Sequence, residues 1–352
     1  MSSATMQAIV KPGPAPGAEL RQVSVPEIGP RDVLIRVRAA SICGTDLHIY
    51  NWDRWAQRRL HPPLVFGHEF CGHVEKVGDE VGNLKPGEFV SAEMHVACGH
   101  CFQCRTGASH ICQDVRIIGI DEDGCFAEFV KIPAANVWEI DPAIPVEYAA
   151  ILDPLGNAVH TVLAGEIAGL SVAITGAGPI GLFSVAVAKA CGAGPVLVTE
   201  LHPYRQKLAW QMGADAVIDP SAKDAVAEVL GATGGVGVDV VLEMSGHPDA
   251  IRQGFHMLRR GGRISLLGIP AKPLELDLAN DVIFKGAIVQ GINGRRVFDT
   301  WYKMQSLLKS GALKLDPLIT DRMALADFDK GIRRLLSGDA SKILLYPDGQ
   351  EK

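Results

Sequence analysis

The chain has 352 residues, of which 47% are hydrophobic and 21% are charged. At roughly 100–200 residues per domain this length predicts about two domains, and the composition excludes an intrinsically disordered chain. The 34 basic and 40 acidic side chains give a net charge of −6. That charge argues against a protein that binds nucleic acid through its whole surface.

The hydrophobic stretches do not predict a membrane protein. Met1–Val10 contains no basic region followed by an apolar run, so no secretory signal is expected. Leu170–Val198 carries one charge, Lys189, but glycines and prolines interrupt it, which favours a buried strand, a turn and a buried helix over a membrane span. We therefore expect a cytoplasmic protein whose eight cysteines are metal ligands or core thiols rather than disulfides.

The first 155 residues have a different pattern from the rest of the chain. Short apolar or alternating runs are separated by glycine and proline, which is typical of β-strands. The clearest of these runs are Val33–Ala39, Val74–Val77 and Phe126–Ile132. This half of the chain is predicted to be a mostly β domain.

Four cysteines lie close together in this first half. Cys98, Cys101, Cys104 and Cys112 are spaced C-x2-C-x2-C-x7-C in a polar loop. Four thiolates at this spacing can surround one tetrahedral zinc ion and leave no open coordination position, so the site would be structural. An iron–sulfur cluster or a set of free core thiols are the alternatives.

A second metal site is suggested by scattered residues. A catalytic zinc needs about three protein ligands and one open position, and Cys43, His68 and a carboxylate could supply these ligands. The carboxylate could be Glu69 or Asp153. Spacing alone does not join these residues, and core packing is the alternative for each.

From Ser171 onward strand-like and helix-like segments alternate, which predicts a parallel, doubly wound sheet. Six buried strands are expected at Val172–Thr175, Val196–Glu200, Ala216–Ile218, Val238–Glu243, Arg263–Leu267 and Ala287–Ile292. The helices between them are expected at Ile180–Cys191, Pro203–Met212, Lys223–Leu230, Pro248–Leu258 and near Ala279–Phe284. Beyond residue 295 the pattern predicts helices at Phe298–Ser310 and Ala324–Ser337, then a strand at Lys342–Tyr346.

A glycine-rich turn joins the first strand of this half to its first helix. Gly176, Gly178 and Gly181 fit the pattern G-x-G-x-x-G in the strand–turn–helix context that a dinucleotide site requires. The first glycine makes the tight turn, the second admits a pyrophosphate and the third allows close packing of helix on strand. An ordinary glycine turn is the alternative.

Glu200 ends the second strand, nineteen residues after Gly181. A carboxylate there accepts hydrogen bonds from a ribose 2′-hydroxyl and repels a 2′-phosphate, so NAD is expected rather than NADP. Arg205 lies nearby and could receive a 2′-phosphate, but Glu200 has the more direct position.

These motifs together resemble one family. The run Gly67-His68-Glu69-x2-Gly72-x5-Gly78-x2-Val81 is similar to the zinc signature of the medium-chain alcohol dehydrogenases, and the cysteine lobe and glycine motif follow in the family's order. The resemblance implies a GroES-like catalytic domain at 1–154, a Rossmann NAD-binding domain at 155–294, and a segment at 295–352 that completes the catalytic domain.

The resemblance also implies roles for the catalytic residues. Cys43, His68 and Glu69 would bind the catalytic zinc, and the cysteine cluster would bind a second, structural zinc. Thr45 and His48 would pass the proton of the zinc-bound alcohol to solvent. The presence of these residues argues against a non-catalytic zinc and nucleotide binder.

Further roles follow from the same resemblance. Asp153 would serve the proton relay or approach the zinc only transiently, and His95 would take part in substrate selection. The positions implied to contact NAD, besides the three glycines, are Ile180, Glu200, Arg205, Leu267, Gly268, Ile269, Ile292 and Asn293. Related enzymes can carry tyrosine at the position of Asn293.

A narrower similarity concerns the substrate. The segments His48–Trp55, Asp153–Thr161, Glu243–Gly246 and Phe298–Met304 resemble a subgroup of the family that oxidises a hydroxy amino acid. The alternative is a zinc-dependent dehydrogenase of a polyol or another secondary alcohol. By resemblance we also expect a homotetramer, joined in part through the apolar edge Ala287–Ile292.

Overall fold

A computed structural model describes residues 4–349, and within them the chain divides into two compact units. One unit contains the described part of Met1–Asp153 and Ile319–Lys352, and the other is Pro154–Leu318. The second boundary falls later than the expected residue 294. Residues 295–318 belong to the second unit, and Nη1 of Arg295 donates a hydrogen bond of 3.3 Å to Oδ1 of Asn157 within it.

The N-terminal part of the first unit is mainly β, as the short runs separated by glycine and proline predict. Its strands are β1 Thr5–Lys11, β2 Glu19–Ser24, β3 Asp32–Ser41, β4 Leu64–Val65, β5 Phe70–Val77, β6 Phe89–Ala92, β7 His95–Val96, β8 Arg116–Ile117, β9 Phe129–Pro133 and β10 Val137–Glu139. Its helices are α1 Gly44–Asn51, α2 Arg54–Arg59, α3 Phe102–Arg105, α4 Val146–Ala149 and the start of α5 Leu152–Val162, with 3-10 turns at Ser109–Ile111 and Ala134–Asn136.

The second unit has the predicted alternation of strand and helix. Its strands are β11 Val172–Thr175, β12 Val196–Thr199, β13 Ala216–Ile218, β14 Val238–Glu243, β15 Leu258–Leu266 and β16 Ile288–Gly291. Its helices are α6 Pro179–Ala190, α7 Pro203–Gln211, α8 Ala225–Ala232, α9 Pro248–Met257 and α10 Asp299–Lys309, with a π-helix at Leu278–Ile283 and a 3-10 turn at Asp316–Leu318.

The six strands of the second unit form one sheet in the order β13-β12-β11-β14-β15-β16, and every neighbouring pair is parallel. This order confirms the doubly wound fold. Strands β11 and β12 are buried at every residue because helices cover both faces of such a sheet. Proline in the first turn begins α6, α7 and α9, where its missing N–H costs no helical hydrogen bond.

The chain then returns to the first unit through β17 Ile319–Ala324, α11 Phe328–Leu336 and β18 Lys342–Tyr346, with a 3-10 turn at Leu325–Asp327. Strand β18 pairs with β3, which extends the sheet to the order β10-β6-β5-β3-β18-β17, and β9 also pairs with β3. The ring of Phe328 packs at 5.4 Å from the rings of both Phe66 and Phe126. The C-terminal segment therefore completes the core of the first unit.

Several predicted elements differ in detail from the observed ones. The expected helix at Ala324–Ser337 starts as a 3-10 turn and becomes α-helical at Phe328. The expected strand at Arg263–Leu267 begins at Leu258, because its glycine-rich first half hides the pattern. Within residues 4–349 no helix combines the length and the apolar character that a bilayer span requires.

Candidate metal and cofactor sites

The fold brings Cys43, His68 and Glu69 together. One ligand atom from each of them lies within 4.8 Å of the other two. Cys43 caps the N-terminus of α1, and the other two residues immediately precede β5. His68 and Glu69 are buried, so this cluster is held in the interior rather than on a mobile surface loop. The three residues are those that the family resemblance singles out as zinc ligands.

Asp46 supports this cluster and was not predicted. Its Oδ2 accepts a hydrogen bond of 2.7 Å from the backbone N–H of Cys43, and its Oδ1 lies 3.7 Å from Nδ1 of His68. Burial raises the pKa of Asp46 to about 6, against the opposing attraction of His68. A carboxylate beside one imidazole nitrogen orients the other nitrogen toward a metal.

Lys342, from strand β18, is the cation that faces this group of acids. Its ammonium pairs with Oε2 of Glu69 and donates a hydrogen bond of 3.0 Å to the carbonyl of Ile42. Lys342 and Glu69 are both about 1% exposed. A buried carboxylate requires such a partner, because an unpaired buried charge is strongly unfavourable.

The donor set fits a divalent cation. Oε1 of Glu69 is buried without a hydrogen-bond partner, and buried polar atoms normally have one. Burial raises the pKa of the Cys43 thiol, and the charge of Glu69 raises it further, so a positive charge is needed to hold a thiolate there. A thiolate, an imidazole and a carboxylate are the ligand types that zinc prefers.

Thr45 and His48, the predicted proton relay, lie on α1 beside this cluster. The hydroxyl of Thr45 is 3.9 Å from Sγ of Cys43. His48 is three residues further on and shares that face of the helix. Nδ1 of His48 contacts Oδ2 of Asp53 at 2.5 Å, and the His48 side chain is 58% exposed. The two side chains thus extend from the cluster to solvent.

Asp153 and His95 complete the predicted catalytic and substrate residues. Asp153 is buried in the first turn of α5, and its charge is among the groups that raise the pKa of His68 against the effect of burial. Nδ1 of His95 lies 2.7 Å from Oε1 of Glu93, a fully buried carboxylate. The backbone N–H of His95 donates to the same oxygen at 3.1 Å, so Glu93 fixes the orientation of the ring.

The four cysteines of the lobe also converge. Their sulfur atoms lie within 4.8 Å of one another. Backbone N–H groups point at these sulfurs, as from Cys101 to Cys98 at 3.4 Å and from Cys98 to Cys112 at 3.3 Å. Hydrogen bonds from the backbone lower the pKa of Cys101 to about 6. Four convergent sulfurs that accept N–H groups fit a closed tetrahedral zinc site.

The glycine motif of the second unit borders a pocket of about 380 Å³ at the carboxyl ends of the strands. Gly176, Gly178, Glu200 and Arg205 all line it. Gly176 has a φ of +90° and no room for a side chain, since a Cβ would lie 2.8 Å from that of Ser245. This is the position where doubly wound sheets bind nucleotides.

Both carboxylate oxygens of Glu200 accept hydrogen bonds from the backbone at the edge of this pocket. Its Oε2 accepts a hydrogen bond of 2.8 Å from the N–H of Ala177, inside the glycine turn, and its Oε1 accepts one of 2.9 Å from the N–H of His202. Its carboxylate is therefore fixed at the end of β12. A fixed carboxylate at this position favours a free ribose hydroxyl over a phosphate.

The remaining predicted cofactor residues surround the same ends of the strands. Gly181 packs directly on the Gly176 carbonyl, where a side chain would collide. The others lie in the first turn of α6 or in the loops after β15 and β16, and comprise Ile180, Leu267, Gly268, Ile269, Ile292 and Asn293. Ile269 is 90% exposed, so its apolar side chain is accessible to a cofactor bound at this edge of the sheet.

Other residues of these sites were not predicted from the sequence. In the metal cluster they are Asp46 and Lys342, and near His95 the buried partner is Glu93. The lining of the cofactor pocket also includes Met244, Ser245 and His247. The one signal for Lys342 was a charged residue at the start of an otherwise apolar strand.

Comparisons with known proteins identify the class. Residues 29–142 match the alcohol dehydrogenase GroES-like domain, and residues 179–310 match the zinc-binding dehydrogenase family. The chain belongs to the zinc-dependent medium-chain alcohol dehydrogenase family.

Two similar curated relatives are both L-threonine 3-dehydrogenases. An L-threonine 3-dehydrogenase of Symbiobacterium thermophilum is 52% identical over 98% of this chain and 98% of its own length. Another of that name, from Bacillus licheniformis, is 50% identical over 97% of this chain and 99% of its own. A zinc-binding dehydrogenase of Sinorhizobium meliloti, solved with NADP, superposes with a TM-score of 0.91 at 32% identity and covers 98% of this chain and 100% of its own.

Proposed function

We propose that this chain is an NAD- and zinc-dependent dehydrogenase that oxidises the secondary hydroxyl of L-threonine to 2-amino-3-oxobutanoate. The observation that carries the proposal is the clustering of Cys43, His68 and Glu69 in a chain about 50% identical to L-threonine 3-dehydrogenases over nearly its whole length. The cofactors are NAD and two zinc ions per chain, one catalytic and one structural.

The metal site is assigned to Cys43, His68 and Glu69. Three protein ligands leave one coordination position for the substrate oxygen. Zinc bound there supplies a Lewis acid that lowers the pKa of an alcohol. Asp46 orients His68. The ammonium of Lys342 pairs with the carboxylate of Glu69 and balances its negative charge.

The proton of the substrate hydroxyl leaves through Thr45 and His48 in this proposal. The hydroxyl of Thr45 can accept and donate in turn, and it lies beside Cys43. Histidine exchanges protons near neutral pH, and Nδ1 of His48 is fixed by Asp53, which leaves Nε2 for the transfer. Asp153, buried near His68, is assigned to the same catalytic group.

The substrate and cofactor are held by separate groups. His95, fixed by Glu93, is assigned to substrate selection. The glycine turn at Gly176 and Gly178 receives the pyrophosphate, and Glu200 accepts from the adenosine ribose. NAD bound there supplies the hydride acceptor. The other assigned contacts are Ile180, Gly181, Arg205, Leu267, Gly268, Ile269, Ile292 and Asn293.

The assembly and the location are also proposals. We assign a homotetramer, supported by the position of β16 as the last strand of its sheet within residues 4–349, where Ile288 and Val289 are 58% and 42% exposed. Exposed apolar edge strands favour pairing with another strand. The enzyme is assigned to the cytoplasm and to a small amino-acid substrate, with no nucleic acid or membrane partner.

The substrate assignment is tested by NADH formation at 340 nm with zinc-loaded protein and NAD. The panel contains L-threonine, D-threonine, L-serine, sorbitol and 2,3-butanediol. L-threonine is expected to give the highest kcat/KM. A preference for sorbitol or butanediol would retain the zinc and hydride chemistry but replace the substrate by a polyol or another secondary alcohol.

A further inference from the structure

Glu243, the last residue of β14, carries a fully buried carboxylate. It is neither one of the proposed zinc or proton-relay residues nor one of the proposed NAD contacts. Its Oε1 accepts hydrogen bonds from the backbone N–H of Ser245 at 2.9 Å, from the Ser245 hydroxyl at 2.5 Å and from the N–H of Gly246 at 3.0 Å. Oε2 accepts from the same Gly246 N–H at 3.2 Å. The side chain therefore fixes the loop that follows its own strand.

The same residue also joins two neighbouring loops. Its backbone carbonyl accepts hydrogen bonds from the N–H groups of Leu267 and Gly268, at 3.0 and 3.1 Å, in the loop after β15. The hydroxyl of Thr175, at the end of β11, lies 3.4 Å from Oε1. Glu243 is thus connected to the loops or strand ends of β11, β14 and β15.

The atoms around the Glu243 carboxylate are closely packed. A Cβ on Gly268 would lie 2.6 Å from Oε2 of Glu243, and one on Gly246 would lie 2.6 Å from the carbonyl of Ile269. Gly246 has a φ of +66°, which glycine adopts without strain. Small movements of the Glu243 carboxylate are consequently transmitted to both loops, because close-packed atoms cannot absorb them.

We propose that Glu243 is a positioning residue for NAD, which sets the relative placement of the loops at Gly176, Ser245 and Gly268 around the cofactor pocket. This proposal rests on the assignment of NAD to that pocket. Glu243 is absent from the pocket lining, whereas Gly176, Met244 and Ser245 are part of it. The backbone N–H groups of Ser245 and Gly246 and the Ser245 hydroxyl all donate to the oxygens of the Glu243 side chain, which can accept several hydrogen bonds at once.

The test compares Glu243→Gln with Asp239→Asn. Asp239 is on the same strand, at the opposite end, and its carboxylate also accepts from a neighbouring serine, Ser171, through the N–H at 2.8 Å and the hydroxyl at 2.6 Å. Both substitutions replace one carboxylate by an amide, and the Asp239 carboxylate also accepts from Nε of Arg259 at 2.6 Å. Only Glu243 lies at the carboxyl end of β14, next to Met244 and Ser245, which line the pocket.

The measured quantity is the Kd of NAD, by calorimetry on the zinc-loaded enzyme without substrate. E243Q is expected to raise this Kd on the order of tenfold, since charge-assisted hydrogen bonds are lost, while D239N changes it less than twofold. In turnover, E243Q should raise the KM of NAD and leave the KM of L-threonine at saturating NAD unchanged.

The outcomes separate the two proposals. If the unsubstituted enzyme binds no NAD, the assignment of the pocket is wrong. If it binds NAD and E243Q binds it equally well, or D239N weakens binding as much, the positioning role of Glu243 is wrong. Should E243Q fail to fold, Glu243→Asp keeps the charge but withdraws the carboxylate by one methylene, and a Kd equal to that of the unsubstituted enzyme would contradict the role.

Discussion

The ammonium of Lys342 and the carboxylate of Glu69 form a buried ion pair between residues 273 positions apart. The ammonium also donates to the carbonyl of Ile42, the neighbour of Cys43. Burial lowers the pKa of Lys342, but the charge of Glu69 outweighs this and raises it. One charged group from the C-terminal strand therefore supports two of the proposed zinc ligands.

This ion pair predicts a stability change for Lys342→Met. The substitution leaves Glu69 buried without its partner, which costs roughly 3–5 kcal/mol of unfolding free energy. Urea denaturation of the metal-free protein measures it. Lys330→Met, at an exposed helical position, is the matched control and should change the free energy by less than about 0.5 kcal/mol. Equal stability of the two variants would contradict the pairing.

The catalytic metal assignment predicts the behaviour of Cys43→Ser. Zinc content should fall from two ions to one per chain, and turnover should fall roughly 100-fold or more, because the Lewis acid contributes several kcal/mol. Metal analysis and steady-state kinetics measure both. Cys191→Ser removes a thiol that lies outside both clusters and should alter neither. Full turnover of C43S with two bound zinc ions would show that Cys43 is not a ligand.

The cofactor assignment predicts a change of preference in Glu200→Gln. The amide retains an acceptor for the Ala177 N–H but removes the charge that repels a 2′-phosphate. The ratio of kcat/KM for NAD to that for NADP should therefore fall by roughly tenfold. Glu228→Gln, on the surface of α8, should leave the ratio unchanged. A lower KM for NADP than for NAD in the unsubstituted enzyme would contradict the assignment.

The buried ring of His160 should make the free energy of unfolding depend on pH. Its Nδ1–H donates to the carbonyl of Gly294 at 2.8 Å, and burial lowers the pKa of the ring below 6.5, partly offset by this bond. Below pH 6.5 the unfolded chain binds a proton that the folded chain does not, so stability falls as the pH falls through this value toward the folded pKa.

The comparison with His160→Asn isolates this effect. The amide of asparagine can replace the Nδ1–H donor but does not titrate. Well above pH 6.5 the difference in unfolding free energy between the unsubstituted protein and H160N should be constant. As the pH falls below 6.5, the unsubstituted protein should lose stability relative to H160N. Denaturation curves across this range give the difference. A value that does not change with pH, or that shifts in favour of the unsubstituted protein, would contradict a lowered pKa of His160.

The exposed edge of β16 predicts the behaviour of Ile288→Lys. A lysine on an edge strand disfavours pairing with a second strand. Light scattering at micromolar concentration should give a tetramer for the unsubstituted chain and a smaller species for I288K. Lys309→Arg, which preserves the charge at a surface helix, is the control. A monomeric unsubstituted chain would contradict the proposed assembly.

Much of the second unit could be predicted because its signals are local. Val238–Glu243 and Ala216–Ile218 have the bounds that their apolar runs indicate, and proline marks the starts of α6, α7 and α9. The boundary after Leu318 could not be found this way, because it depends on contacts between distant residues, such as that of Arg295 with Asn157.

The ligand residues could be named from motifs, but their supports could not. Asp46, Glu93 and Lys342 act through contacts with residues near or far along the chain. No spacing rule encodes a pair separated by 273 positions. A charged side chain in a buried strand was the sole local sign that Lys342 has a partner.

The most direct test of the proposed reaction follows the hydrogen atom. L-Threonine labelled with deuterium at C3 is incubated with the zinc-loaded enzyme and NAD, and the NADH formed is analysed by mass spectrometry. One deuterium per NADH is expected, because the hydride leaves from the carbon that bears the hydroxyl. NADH without deuterium, or no NADH from threonine while sorbitol or 2,3-butanediol is oxidised, would contradict the proposed reaction.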